Sequence, residues 1–219
     1  MMQRALDAAD KAERRNAILA AARQLFLQDP HKLPSAAQIA EAAGLAKGTV
    51  YLYFRTKEEI FVGLLAADFR SLFETVAEIF HNPPAELPAL LAHFLEHYLR
   101  YLDQHPEFLR LDAMAYSVLE QNLSDEQLRA FKLELTQLLV ASGAAIDRAL
   151  ALPEGRGSTL LMRTYALTRG LWQSLDQPRC IAAMLDDPIF APLRPDFRSE
   201  LAAALREYWL GALSIAAQG

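Results

Sequence analysis

Cysteine is almost missing from this chain. Cys180 stands alone among 219 residues, which rules out a disulfide framework or a cysteine-based zinc cluster within one chain and fits a reducing cytoplasm. Long apolar runs are missing too. The longest charge-free stretches, residues 135–146 and 208–219, hold 12 residues each, short of the roughly 18 that a spanning helix needs. Residues 1–10 carry acidic side chains and no apolar centre, so neither a secretory signal nor membrane insertion is expected. Alternating Val/Ile/Thr-rich segments bounded by turn residues do not occur, and with them goes the usual argument for strands. Repeats and low-complexity tracts are also lacking.

A surplus of positive charge is the last absence, and it is only apparent. The net charge of −5 argues at first against an anionic partner, yet it is unevenly spread. Residues 1–60 carry nine Lys/Arg against seven Asp/Glu, whereas residues 61–219 carry 13 against 20. A mildly basic head on an acidic body permits nucleic-acid binding through the head without proving it.

What is present is apolar content, 53% of residues, enough for a sizeable core, and its spacing is helical nearly everywhere. The fold class is therefore all-α. A first helix is expected over 11–27, with Ile18, Ala22, Leu25 and Phe26 on one face, stopped by Pro30. Ser35 through Gln38 reads as a capping box opening a second helix, and Gly44 breaks it. A short helix follows over 46–54. Thr56 through Glu59 reads as another capping box, opening a long helix striped by Phe61, Leu65, Phe69, Leu72, Val76 and Phe80 and stopped at Asn82-Pro83-Pro84. Further helices are expected over 87–104, 106–121, 124–150, 157–176 and 196–217.

The sharpest signal lies in residues 35–57. Ile39, Ala43, Val50 and Phe54 can close a small core between two short helices. Ala40 allows close approach, and Gly44 can take the positive φ of a tight turn. This leaves Lys47, Gly48, Thr49, Tyr51, Leu52 and Tyr53 toward the outside. Those residue types suit a duplex: a lysine for phosphate or guanine, a glycine for close approach, hydroxyls for phosphate oxygens, and a leucine for a thymine methyl.

The segment strongly resembles the tetracycline-repressor-type (TetR) family, whose DNA-binding domain reads Ile-Ala, Ala-Gly, Lys-Gly-Thr-x-Tyr-x-Tyr-Phe and then a Lys-Glu pair. The resemblance runs without gaps over about residues 14–61. It implies operator contacts for Lys47, Thr49, Tyr51, Tyr53 and Lys57, a phosphate-proximal cap at Ser35, and structural roles for Val50 and Phe54. Two positions depart from the pattern: Pro30-His31 replaces a glycine-aromatic pair, and Ala46 replaces a frequent serine. The same resemblance implies a helix-turn-helix domain over 1–57 and a helical effector-binding and dimerisation domain over 58–219. The implied protein is a cytoplasmic homodimer that binds double-stranded operator DNA as a repressor and responds to an unidentified small-molecule effector.

Other readings stand beside this one. Residues 35–54 as a plain αα-hairpin would not need an outward Lys-Gly-Thr-x-Tyr-x-Tyr cluster. Lys11, Arg14 and Arg15 read either as a phosphate-tracking arm or as a solvated first turn. A DNA-binding regulator controlled by a partner protein, or acting as an activator, shares the head but not the effector. A zinc hydrolase is suggested by His93-Phe-Leu-Glu96-His97, an H-x-x-E-H motif. Both histidines fall on one helix face, but so do Arg100, Asp103 and Gln104, opposite Leu91, Leu95, Tyr98 and Leu102. A solvated polar arc accounts for the motif, and no catalytic residue, metal or cofactor is expected.

The C-terminal half is less specific. Asp112 falls beside the apolar face of its helix, where a carboxylate must be paired or line a cavity. Thr164 and Thr168 sit in the middle of an inward face formed by Leu160, Leu161, Leu167, Leu171, Trp172 and Leu175. With Tyr116 and Tyr165 these could supply an effector pocket with its polar groups. Alternatively Asp112 pairs with an arginine and the threonines bond their own i−4 carbonyls. For the dimer, Ala166, Gly170 and Ser174 form a small-residue ridge, joined by Phe197, Leu201, Leu205, Tyr208, Ala212 and Ile215 of the last helix.

Overall fold

The computed structural model describes residues 2–29, 32–176 and 179–216. Among them the chain is helical with no strand. In order run α1 (Met2–Gln28), α2 (Ala36–Ala42), α3 (Lys47–Tyr53), α4 (Lys57–His81) and α5 (Leu87–Gln104), then α6 (Phe108–Met114), α7 (Asp125–Ala149), α8 (Arg156–Leu175), α9 (Arg179–Met184) and α10 (Phe197–Ala216). A π-helical turn, Ala115–Leu119, and a 3-10 turn, Glu120–Asn122, follow α6, and a 3-10 segment, Pro188–Leu193, precedes α10.

Local chemistry explains several of the boundaries. Ser35 and Gln38 form the full capping box: the Gln38 N–H donates to Ser35 Oγ at 3.3 Å and the Ser35 N–H to Gln38 Oε1 at 2.9 Å. The box before α4 is only half as expected. Glu59 N–H donates to Thr56 Oγ1, but the returning Glu59 carboxylate accepts from Arg55 N–H instead of Thr56. Two expectations need larger correction. α1 begins at Met2 and not near Lys11, because the added residues are mostly good helix formers with no break among them. The helix expected over 106–121 is α-helical only to Met114. There the turn widens, and Glu120 N–H reaches back to the Ala115 carbonyl, so a wheel at 100° per residue misplaces the side chains beyond Met114. The Pro30-His31 departure lies outside the described residues.

The chain packs as two compact units, one of residues up to Phe69 with His105–Glu134, the other of Arg70–Gln104 with Leu135–Gly219. In the first, Ile18, Ala22 and Phe26 of α1, Ile39 and Ala40 of α2, Val50 and Phe54 around α3, and Ile60, Phe61 and Leu65 of α4 are buried. Phe26 and Phe61 meet at 5.8 Å between ring centroids, and Phe69 meets Phe108 edge-on at 5.0 Å. Each such side chain contributes about 1.5–3 kcal/mol of burial.

The second unit centres on Trp209, whose ring lies 5.0 Å from Phe94 and 6.1 Å from Phe80. α10 packs against both α5 and α8. α7 and α8 touch backbone to backbone: a Cβ on Gly143 would lie 2.2 Å from Ser158 Oγ and 2.5 Å from its amide nitrogen. Asp147 of α7 closes the same junction by accepting the N–H groups of Gly155 at 2.8 Å and Gly157 at 2.5 Å. Those donors at the head of α8 have no cap from Gly155 itself. The inward face of α8 consists of Gly157, Leu160, Leu161, Thr164 and Thr168; Leu167, expected inside, is exposed.

Candidate nucleic-acid interface

The turn between α2 and α3 is built from backbone geometry that only a residue like glycine accepts readily. Gly44 has φ +66°, its N–H donates to the Glu41 carbonyl at 3.0 Å, and Leu45 N–H donates to the Ala40 carbonyl at 2.9 Å. This paired arrangement is a Schellman motif. It ends α2 and sends the chain into α3 at a fixed angle. Ile39, Ala40, Val50 and Phe54 anchor the pair, whereas Ala43, expected in that core, is half-buried.

With Val50 and Phe54 turned inward, α3 presents its other side chains outward. Lys47 and Gly48 are exposed, Leu52 is 80% exposed and Tyr51 46%. Lys47 Nζ sits 6.0 Å from the centre of the Tyr51 ring. Thr49 and Tyr53 are half-buried, Ser35 is exposed at the head of α2, and Lys57 opens α4 beside Glu58, 3.9 Å away. An exposed leucine between two tyrosines and a lysine, on a helix rigidly seated from behind, is a surface able to enter a groove. No Cβ built on Gly48 would meet an atom within 4 Å, so the protein itself does not require a glycine there.

Two arginines extend this site beyond what local pattern revealed. Arg15 lies 5.1 Å from the centre of the Phe54 ring, bracing the end of α3, so it is not merely a solvated first-turn charge. Arg23 of α1 is ion-paired with Asp68 of α4 and Glu107 just before α6. Both carboxylates are buried. Burial pushes the Asp68 carboxyl above its usual value of 3.8, with Arg23 opposing and Glu107 reinforcing the rise. These partners lie 45 and 84 residues from Arg23, and no short-range sequence signal could have found them.

The candidate effector residues divide between the units. In the first, Asp112 is buried and Tyr116 is 58% exposed, with Lys132 Nζ 4.8 Å from its ring centre. In the second, Thr164 and Thr168 are buried, while Tyr165 and Trp172 are half-buried. The Thr164 hydroxyl donates to the Leu160 carbonyl and accepts from Trp209 Nε1 at 3.0 Å. The Thr168 hydroxyl donates to the Thr164 carbonyl and lies 3.0 Å from the Tyr98 hydroxyl, which is therefore its donor. Tyr98 and Trp209 are the partners that sequence spacing did not supply.

Among the dimer candidates, Ala166, Gly170 and Ser174 are exposed, Tyr208 is half-buried, and Leu201, Leu205 and Ala212 lie in the chain's own core. The side chain of Ile215 lies outside the described residues. On α5, Glu96 pairs with Arg100, and His97 Nδ1 faces the His93 carbonyl at 2.9 Å. No three His, Cys, Asp or Glu side chains gather to hold a metal ion among the described residues. No described helix is long and apolar enough to cross a membrane.

Residues 18–64 match the family model described as bacterial regulatory proteins, tetR family, and residues 66–216 match the tetracyclin repressor-like C-terminal domain. The second match alone spans well over half the chain. This protein belongs to the TetR family. It is accordingly a DNA-binding transcriptional regulator. No curated protein matches the chain. Solved structures that share the fold include a putative TetR-family regulator of Mesorhizobium loti, 19% identical with a TM-score of 0.62, covering 93% of this chain and 96% of that one. Another is PfmR of Thermus thermophilus, 17% identical with a TM-score of 0.57, covering 87% and 96%. NalD of Pseudomonas aeruginosa, described as the secondary repressor of the MexAB-OprM multidrug efflux pump, is 23% identical with a TM-score of 0.50, covering 92% and 96%.

Proposed function

We propose that this TetR-family chain is a repressor that grips a pseudo-palindromic operator as a homodimer and is released by a small, largely apolar effector. Residues 1–57 serve the DNA and residues 58–219 the effector and the partner subunit. The observation that carries the reading is the division of α3, with Val50 and Phe54 sealed inside and Lys47, Tyr51 and Leu52 held out. Ser35, Thr49, Tyr53 and Lys57 flank this face and supply phosphate contacts. NalD, a repressor by its description, favours repression over activation.

Two-fold symmetry follows from the task, since paired recognition helices must reach successive major grooves about 34–36 Å apart. The proposed partner surface is the outer side of α8, where Met162, Ala166, Leu167, Gly170 and Ser174 are exposed, together with exposed Leu210 of α10. Leu201, Leu205 and Ala212 support that surface from within. For the effector, Tyr165 and Trp172 retain accessible surface. Thr164 and Thr168 shape the adjoining interior, because their hydroxyl protons are committed to backbone carbonyls. The reading needs no cofactor, and it places the protein in the cytoplasm with its operator.

The test begins by selecting bound duplexes from a random DNA pool. Two chains per pseudo-palindromic duplex, and release of that duplex by an apolar metabolite, are the expected results. Binding by single chains would overturn the dimer, and failure of every small molecule to release the duplex would favour control by a partner protein.

A further inference from the structure

The outermost line of α3 carries no hydrogen-bonding side chain. At about 100° per residue, Gly48 and Leu52 each lie about 160° around the helix from buried Val50, and about 40° from one another. Both are exposed, and Leu52, at 80%, is the most exposed large apolar side chain among the described residues. The side chains able to hydrogen-bond stand on the flanks, Lys47 and Tyr51 on one side, Thr49 and Tyr53 on the other. Lys47 keeps to its own flank, with Nζ 6.0 Å from the centre of the Tyr51 ring. Ala46, exposed at the head of the helix, adds no donor or acceptor in its side chain.

Between Gly48 and Leu52 there is room. A Cβ built on Gly48 would meet nothing within 4 Å, the Leu52 side chain included, although residues one turn apart are surface neighbours, about 5–6 Å between Cβ positions. The gap admits a group the size of a methyl, with the bare Gly48 backbone beneath it and the Leu52 isobutyl group beside it. A helix seated in the major groove meets base edges that carry hydrogen-bond donors, acceptors and a single apolar group, the C5-methyl of thymine. Pressed against donors or acceptors, glycine and leucine would strip them of water and leave them unpaired, which costs free energy. Against a thymine methyl the same two residues bury apolar surface instead.

We propose that Gly48 and Leu52 form a methyl-reading strip. Each operator half-site places the C5-methyl of one thymine in the gap between them, and that base is chosen without a hydrogen bond to its edge. Lys47, Thr49, Tyr51 and Tyr53 hold the helix from its flanks, by phosphates and neighbouring bases, and Leu52 is the specificity-determining residue at that position. The strip rests on the reading of α3 as the operator-binding face, and the experiment keeps the two separable.

The full-length protein is titrated with its selected duplex, in which each thymine is replaced in turn by deoxyuridine. That exchange removes the methyl group and leaves every donor and acceptor of the base in place. At one thymine in each half-site it should weaken binding about fourfold, the factor that burial of one methyl group gives. Leu52→Ala should melt like the parent, bind the unaltered duplex more weakly, and reduce that penalty to less than about twofold. Lys47→Ala is the control, with weaker binding and the penalty retained. If no thymine costs as much as about twofold on exchange, or if the penalty survives Leu52→Ala, the strip is overturned. If Leu52→Ala binds too weakly to titrate, selection of duplexes by Leu52→Gln decides, because a glutamine amide prefers an adenine edge. Loss of that thymine from its selected duplexes supports the strip, and retention overturns it. Parent-like binding by Lys47→Ala would instead overturn the reading of α3.

Discussion

The indole N–H of Trp209 donates to the hydroxyl oxygen of Thr164 at 3.0 Å, with both side chains sealed from solvent. Thr164→Val keeps the volume but removes the acceptor and leaves a buried donor unsatisfied. The expected loss is about 1–3 kcal/mol, read as a lower urea midpoint. Thr168→Val should do the same through the Tyr98 hydroxyl. Midpoints equal to the parent's would show that water or another group satisfies these donors.

Operator binding and folding should separate on α3. Lys47→Ala and Tyr51→Phe are expected to weaken binding with melting nearly unchanged, and Lys47→Ala should also reduce the salt slope by about one unit. Gly48→Ala is a sharper case. A Cβ there meets nothing within 4 Å, so the helix should gain about 0.5–1 kcal/mol while operator affinity falls, because the methyl group occupies space the duplex needs. Operator titrations beside thermal melts check both; a Gly48→Ala variant that binds like the parent would move the DNA off this edge.

Gly143 offers the opposite behaviour. A methyl group there would overlap Ser158, forcing α7 and α8 apart, and Gly143→Ala should cost about 1–3 kcal/mol as overpacking does. Calorimetry of the variant reads this directly. An unchanged transition would mean that the helix junction yields more easily than its geometry suggests.

Gly170 faces open space within the chain, so Gly170→Leu should leave the fold of a single chain intact. It should disrupt the proposed dimer, and sedimentation is expected to show a monomer. An intact dimer would move the interface elsewhere.

Asp68 gives a pH dependence opposite to that of most carboxylates. Its folded-state value is raised, chiefly by burial, so the folded chain holds this proton more tightly than the unfolded one. The ionised form therefore costs stability at neutral pH. That cost falls as pH drops through the raised value and vanishes below the unfolded value near 3.8. Relative to Asp68→Asn, the parent should gain stability on acidification across that window, measured as the difference in urea midpoints. A difference that is flat or of opposite sign would show that Arg23 outweighs burial.

Much of this molecule is legible because its determinants are local. Ser35 and Gln38 are three residues apart, Gly44 is its own explanation, and the outward cluster on α3 follows from where Val50 and Phe54 must point. Legibility fails where the determinant is remote or the period changes. Leu167 is as apolar as Leu160, and nothing near it in sequence says which one faces the core. The surplus residue of the π turn after Met114 shifts every side chain beyond it, including Tyr116. Thr164 reads equally as pocket or core until Trp209, 45 residues away, supplies its partner.

The two family matches, residues 18–64 and 66–216, meet at Leu65, which invites grafting this head onto another family member's body at a splice in α4. The Arg23 bridge makes that splice unsafe. Its cation belongs to the head, while Asp68 and Glu107 belong to the body. A graft at residue 65 would inherit an arginine without its acceptors, and the discarded body would keep two buried carboxylates without their counter-ion. Exchange between relatives should succeed only where the recipient already carries this arginine and both acids, or where all three are exchanged together.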